Sequence, residues 1–165
     1  MAASLATYLV LVFSSWHATA AERGEQFREA AAVIGERAGD GDALVFDAHF
    51  VQILFDRYLG ADAGRFAMYG LPAGVRDLAI PDWRLRLSSE ADLAPLVAAA
   101  SRHPALWLVL SHAAIHDPQE LAAQWCDEHL RRTEVHRFIG VVLARHETRG
   151  DGPAFPRRAV DGPGP

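Results

Sequence analysis

The stretch "RHPALWLVLSHAAIHD", residues 102–117, decides the fold that this sequence can adopt. Its apolar centre, "ALWLVLS", follows a proline and ends in polar residues, which is typical of a buried β-strand. The next segment has Asp117 in the N-cap position, Pro118 at the first helical position and Glu120 at the third. This pattern predicts that the strand leads directly into a helix.

Upstream, the same strand and helix alternation occurs twice. Residues 25–38 place apolar side chains on one helical face, and Gly39 follows in the position that favours a left-handed helix end. Residues 43–46, "ALVF", predict a short buried strand, residues 50–60 a second amphipathic helix, and residues 65–70 a second strand. Strands separated by helices indicate crossover units and a parallel sheet covered by helices.

The rest of the central region completes this pattern. Residues 71–91 predict irregular structure with one short extended piece at "DWRLRL", followed by a helix capped by Ser88 or Ser89. Residues 134–147 predict one long strand that bends at Gly140. We therefore expect an α/β domain with a three-layer, Rossmann-like architecture and a largely parallel sheet of about four strands.

The first 21 residues differ in character from this domain. No formally charged side chain occurs from Ala2 to Ala21, and about twenty such residues match the thickness of a bilayer core. A transmembrane helix or anchor is the preferred interpretation, and Tyr8 and Trp16 suit interfacial positions. A secretory signal with the small-residue motif "ATA" at 18–20 is the second interpretation, although no basic residue precedes the apolar stretch. A buried core helix is the third.

Composition sets further limits on the chain. The net charge is −5 and no basic run occurs, which excludes an electrostatic footprint for nucleic acid. The single cysteine cannot form an internal disulfide. Residues 150–165 contain four glycines and four prolines, a composition that predicts a disordered tail. The expected organisation is a membrane segment at 1–21, a soluble domain at 22–149 and this tail.

Four short motifs resemble a known family. Residues 27–31, "FREAA", match an aromatic-Arg-x-Ala-Ala helix, and Gly41-Asp42 forms a turn before a strand. A helix ending in Tyr58-Leu59 and a strand carrying Trp107-Leu108-Val109 follow in the same order. This order resembles the soluble C-terminal region of bacterial glycosyltransferases of the GT-C superfamily. They are the polyprenyl-phosphate-sugar-dependent, mannosyltransferase-like type. The resemblance extends over roughly residues 5–145.

The resemblance implies a role in a membrane glycosyltransferase. It implies that residues 1–21 form a final transmembrane helix. The partners that it implies are the membrane portion of such an enzyme and a lipid-linked sugar or acceptor. The acidic catalytic residues of that family lie in its first extracytoplasmic loop, and nothing in this chain corresponds to that loop. We therefore expect a fragment or stand-alone relative that has no transfer activity of its own and acts in packing or acceptor positioning.

Candidate site residues come from the ends of the predicted strands. Ligands bind at the carboxyl ends of strands in an open parallel sheet. Imidazole and carboxylate groups there could transfer protons or bind a ligand, although polar residues also follow strands that end at a simple solvent-facing loop. The residues that follow the first and third strands are Asp47, His49, Ser111, His112 and His116.

Two other candidates are weaker. A zinc site built from His112, His116, Cys126 and His129 would need ligands roughly 14–18 Å apart along the helix axis, so we expect no metal and no other cofactor. Trp83, with Arg84 and Arg86, could contact a sugar or a lipid headgroup.

The second functional hypothesis is an independent exported enzyme or ligand-binding domain that uses the edge at Asp47, His49 and His112. The side of the membrane on which the domain lies also has two interpretations. Arg23, Arg28 and Arg37 follow the apolar segment and would hold the domain in the cytoplasm. The resemblance implies instead that the domain is extracytoplasmic at the cell membrane, because earlier helices of a parent protein would set its orientation. We adopt the extracytoplasmic assignment for such a parent.

Overall fold

The computed structural model describes residues 24–72 and 85–148, which form one five-stranded sheet with helices on both faces. The helices are α1 (Phe27–Arg37), α2 (Val51–Leu59), α3 (Ala94–Arg102), α4 (Ala113–His116) and α5 (Leu121–His129). The strands are β1 (Ala43–Phe46), β2 (Ala67–Gly70), β3 (Ala105–Ser111), β4 (Leu130–Phe138) and β5 (Val141–Thr148). Short 3₁₀ helices at Gly60–Arg65 and Glu90–Leu93 precede β2 and α3.

The sheet has the strand order β2-β1-β3-β5-β4. Strands β2, β1 and β3 are parallel, whereas β5 is antiparallel to both β3 and β4. The expected sheet of about four largely parallel strands is therefore corrected to a mixed sheet of five.

Successive side chains of β3 lie on opposite faces of the sheet, and this explains why helices cover both faces. Trp107 and Val109 belong to the apolar core shared with α1 and α2. Leu106 and Leu108 belong to a second core, which α3 and α5 complete on the opposite face. A strand that is buried on both sides needs a continuous apolar sequence, and "ALWLVLS" provides one. The predicted α/β class is confirmed.

Most of the predicted elements before residue 112 are confirmed. Helices α1 and α2 and strands β1, β2 and β3 lie within the predicted ranges, and Gly60 ends α2 with a φ of 58°. At the start of the 3₁₀ helix before α3, the Asp92 carboxylate accepts the backbone N–H groups of Ser88 and Ser89 at 2.9 and 3.0 Å. One local prediction is wrong, because the left-handed glycine after α1 is Gly41 (φ 92°) and not Gly39.

The prediction for residues 134–147 is also wrong. The segment does not form one bent strand but a hairpin, in which Ile139 and Gly140 connect β4 to β5 and Phe138 pairs with Val141. Gly140 has a φ of 77°, and a Cβ atom there would lie 2.5 Å from Cγ of Glu25. Glycine is therefore needed both for the backbone conformation and for the close approach of Glu25.

Several predictions concern other parts of the chain. The proposed membrane segment at 1–21, the tail at 150–165, and Trp83 with Arg84 lie outside the described residues. Between residues 24 and 148, the helices that the structure describes are too short or too polar to cross a bilayer.

We predict that a chain without residues 1–21 folds on its own, because both cores consist of residues between Phe27 and Leu143. Thermal denaturation followed by circular dichroism should show one cooperative transition. In that truncated chain, Trp107→Ala should lower the free energy of unfolding by about 3–5 kcal/mol, since the indole is fully buried. A truncated chain that melts without cooperativity would contradict the single-domain assignment.

Candidate functional site

The candidate site lies where the carboxyl ends of β1 and β3 meet. After β1 the chain crosses through α2 to β2 on one side of β1, whereas after β3 it crosses through α5 on the opposite face to β4 on the far side of β3. Two crossovers that diverge from neighbouring strands leave a crevice between their carboxyl ends, which is where open α/β sheets bind ligands. The fold therefore brings the predicted strand-end residues together.

Asp47 links the two strands at this point. It follows β1 and is fully buried, and its Oδ1 accepts the backbone N–H of Ser111 at 2.8 Å. No described residue provides a hydrogen bond to the buried Oδ2. Burial raises the pKa of this carboxyl well above its ordinary value, against the opposing effect of its backbone hydrogen bonds. The neutral, protonated form is thereby favoured.

Three histidines surround the ring of Phe50. The ring centroids of His49, His112 and His116 lie 5.7, 5.6 and 5.5 Å from that of Phe50. His49 and His116 are buried, whereas Phe50 and His112 are partly exposed. The imidazoles contributed by the ends of two strands thus converge on one aromatic side chain.

His112 connects the site to the start of α1. Its backbone is left-handed, with a φ of 57°. Its Nδ1 forms a 2.8 Å hydrogen bond with Ser111 Oγ, and its Nε2 lies 3.1 Å from Glu25 Oε1. The order serine, histidine, carboxylate is that of a hydrolase triad. However, Ser111 is 2% exposed, and a nucleophile buried to this extent cannot reach a substrate without rearrangement.

His116 holds a neighbouring segment against the site. Its Nδ1 hydrogen-bonds to the carbonyl oxygen of Leu85 at 2.7 Å, and its own carbonyl accepts the N–H of Leu87 at 2.7 Å. Burial lowers the pKa of His116, and the nearby His112, His49 and Arg86 act in the same direction. The neutral imidazole is therefore favoured. Arg86, one of the predicted contact residues, is exposed beside it.

Asp117 caps the helix α5, but not from the predicted position directly before the helix. Its buried carboxylate accepts the backbone N–H groups of Leu121 and Ala122 at 2.8 and 2.9 Å. The residue directly before α5 is Glu120, with a φ of 56°, so Pro118 and Glu120 lie outside the helix. Asp117 still caps α5, but it does so from four residues before the first helical residue.

The weaker zinc hypothesis has no support in the geometry. Cys126 lies on the buried side of α5, and burial raises the pKa of its thiol to about 12. His129 Nδ1 lies 2.9 Å from the carbonyl oxygen of Trp125 in the same helix. In the described part of the chain, no group of three or more histidine, cysteine or acidic side chains is arranged to hold a metal ion.

Two site residues were missed by the sequence reasoning. The sequence predicts Phe50 only as part of an amphipathic helix, although this residue directly follows His49. Glu25 lies 87 positions before His112, and nothing in the sequence predicts their contact. Tertiary structure alone brings the two together.

A groove continues from Asp117 along the face of the sheet that α5 covers incompletely. Its volume is about 210 Å³, which is below the usual range of roughly 300–1,000 Å³ for drug-sized ligands. Its floor is formed by apolar side chains of β3 and β5, and Arg132 and Arg137 of β4 contribute to its lining.

Comparisons of the chain with protein-family models, with curated proteins and with solved structures found no match. Functional interpretation therefore depends on the geometry of the site and on the sequence resemblance.

We predict opposite pH dependences for two aspartates. The pKa of Asp47 is higher in the folded than in the unfolded chain, so its contribution to stability is complete below about pH 3.9 and is lost as the pH rises through the folded pKa. Backbone hydrogen bonds from Ser88 lower the pKa of Asp92, so its contribution is present above that pH and is lost on acidification.

Denaturant unfolding between pH 3 and pH 8 tests this difference. Compared with the wild type, Asp47→Asn should retain more of its stability as the pH rises, and Asp92→Asn should lose less as the pH falls. Identical pH profiles for Asp47→Asn and the wild type would show that Asp47 is ionised in the folded state.

We also predict that Asp117→Ala destabilises the domain by about 0.5–2 kcal/mol, because the first N–H groups of α5 lose their acceptor. Asp117→Asn retains one side-chain oxygen and should cost less. Denaturant unfolding monitored by tryptophan fluorescence provides the measurement, and equal stability of Asp117→Ala and the wild type would contradict the capping role.

Proposed function

We propose that this chain is the last transmembrane helix and the C-terminal extracytoplasmic domain of a membrane glycosyltransferase of the GT-C, polyprenyl-phosphate-sugar-dependent type, and that this domain binds and positions a glycan acceptor or sugar headgroup. Each motif of the resemblance lies within or beside a helix or strand of this domain. "FREAA" begins α1, Gly41-Asp42 precedes β1, Tyr58-Leu59 ends α2 and Trp107 lies in β3.

The observation on which this proposal rests is the convergence of three imidazole side chains on the ring of Phe50. Imidazole nitrogens can form hydrogen bonds with the hydroxyl groups of a sugar. A partly exposed aromatic ring offers an apolar surface for the C–H face of a sugar. Phe50 and His112 would contact the ligand, while Asp47, His49 and His116 would support them from behind.

Binding is a better interpretation than catalysis for this cluster. Ser111 and Asp47 are the side chains that could act as nucleophile or acid, and both are buried. The hydroxyl of Ser111 is already engaged with His112. The acidic loop that catalyses transfer in the family has no counterpart in the sequence, so transfer would require the membrane portion of the enzyme.

The contact series Ser111, His112 and Glu25 favours a second candidate, an independent exported enzyme or ligand-binding protein that uses the same edge. The DNA upstream of the Met1 codon distinguishes the two candidates. An open reading frame rich in hydrophobic helices there supports the glycosyltransferase domain, whereas a promoter supports the independent protein.

We predict that the purified chain shows no sugar transfer from polyprenyl-phosphate mannose but binds this lipid in detergent micelles. His112→Ala should weaken binding about tenfold, which corresponds to about 1.4 kcal/mol. His129→Ala is the matched control, because His129 is exposed on α5 and contacts Trp125 instead of Phe50.

Microscale thermophoresis of the three proteins would measure the binding, and thin-layer chromatography of radiolabelled products would measure transfer. Reproducible turnover that His112→Ala abolishes would overturn the binding role in favour of the independent enzyme. Equal affinities of the wild type and His112→Ala would remove the cluster around Phe50 from the binding site.

A further inference from the structure

The polypeptide enters the domain beside the candidate site. The backbone N–H of Gln26 donates to the carbonyl oxygen of Ile139 at 2.9 Å, and the N–H of Ile139 donates to Gln26 Oε1 at 2.9 Å. Glu25 lies against Gly140 and contacts His112. The start of α1 is therefore fixed to the β4–β5 turn, at the same end of the sheet as the carboxyl ends of β1 and β3.

The uncharged apolar segment of the sequence ends very close to this point. Only Glu22 and Arg23 separate Ala21 from Gly24, the first described residue. An extended chain spans at most about 3.6 Å per residue, so about 11 Å is the greatest possible separation between Ala21 and Gly24. An anchored apolar segment would therefore hold this end of the domain near the membrane surface.

Exposed apolar side chains are concentrated at the same end. Ile53 follows β1 in the first turn of α2, Ile115 follows β3, and Ile139 lies in the β4–β5 turn. Their exposed fractions are 43%, 37% and 49%, and they are three of the five large exposed hydrophobic residues that the structure describes. Arg86 and Arg137 are exposed nearby. Isoleucines with arginines suit the boundary between lipid headgroups and acyl chains.

The opposite end of the sheet is different. Asp40 and Arg65 form an ion pair there, before the amino ends of β1 and β2, and the Asp40 side chain is 85% exposed. Ser101, near the amino end of β3, is also exposed. The seven residues of β3 separate the two ends by about 23 Å.

We propose that the isoleucine end, defined by Ile53, Ile115 and Ile139, contacts the headgroup region of a lipid bilayer. The crevice beside Phe50 would then open toward the membrane surface, and its ligand would be a membrane-anchored amphiphile instead of a soluble sugar. This inference rests on the proposed function, which includes the membrane anchor.

Site-specific fluorescence in lipid vesicles tests the orientation. The full chain would be reconstituted into vesicles of phosphatidylcholine and phosphatidylglycerol, with an environment-sensitive dye on Ile139→Cys, Ile115→Cys, Ser101→Cys or Asp40→Cys. Native Cys126 is buried with a raised thiol pKa, so the unmodified chain should remain unlabelled and serve as the background control.

A lipid with a nitroxide on its headgroup should quench the dyes at positions 139 and 115 at least threefold more than those at 101 and 40. Equal or reversed quenching in a chain that floats with the vesicles would overturn the orientation and leave the proposed function intact. It would also leave a protein partner as the candidate to cover the isoleucine end. A chain that fails to float would overturn both the orientation and the membrane anchor of the proposed function.

Discussion

The hydrogen bond between Asp47 and the backbone of Ser111 is the interaction around which the site is arranged. It joins the carboxyl ends of β1 and β3, beside the backbone hydrogen bond from the Asp47 N–H to the carbonyl oxygen of Val109. Its geometry needs a short acceptor directly after β1, and burial of that acceptor raises its pKa well above the ordinary value. This hydrogen bond also positions His49 and His112, because each of them is within two residues of Asp47 or Ser111.

The parallel half of the sheet could be predicted because its strands are buried on both faces. "ALVF" and "ALWLVLS" are continuous apolar runs, and few other structures suit such runs between polar turns. The antiparallel half could not be predicted in the same way. Gly140 is compatible with both a bend and a reversal of the chain, and only the pairing of Phe138 with Val141 separates the two. In the sequence, residues 130–132 continue the helical pattern of the segment before them. In the structure they form the start of β4, because they pair with residues 146–148 of β5.

The candidate site was predictable to the extent that it consists of strand ends. Asp47, Ser111 and His112 could be placed together because parallel strands end at a common edge. The burial of Asp47 and Ser111 could not be foreseen, since polar residues after a strand usually face solvent. The contacts with Glu25 and Phe50 depend on how α1 and α2 pack on the sheet, which no local pattern encodes.

The local energetic costs of this cluster favour a ligand-binding role over a purely structural one. Burying the carboxyl group of Asp47 costs free energy through desolvation, which the hydrogen bond from the Ser111 N–H offsets only in part. His112 adopts a left-handed backbone conformation, which glycine would adopt more easily. Such costs concentrate where a fold must present particular groups to a ligand. The groups that carry these costs lie at the end of the sheet where Glu25 and Gln26 lead into α1.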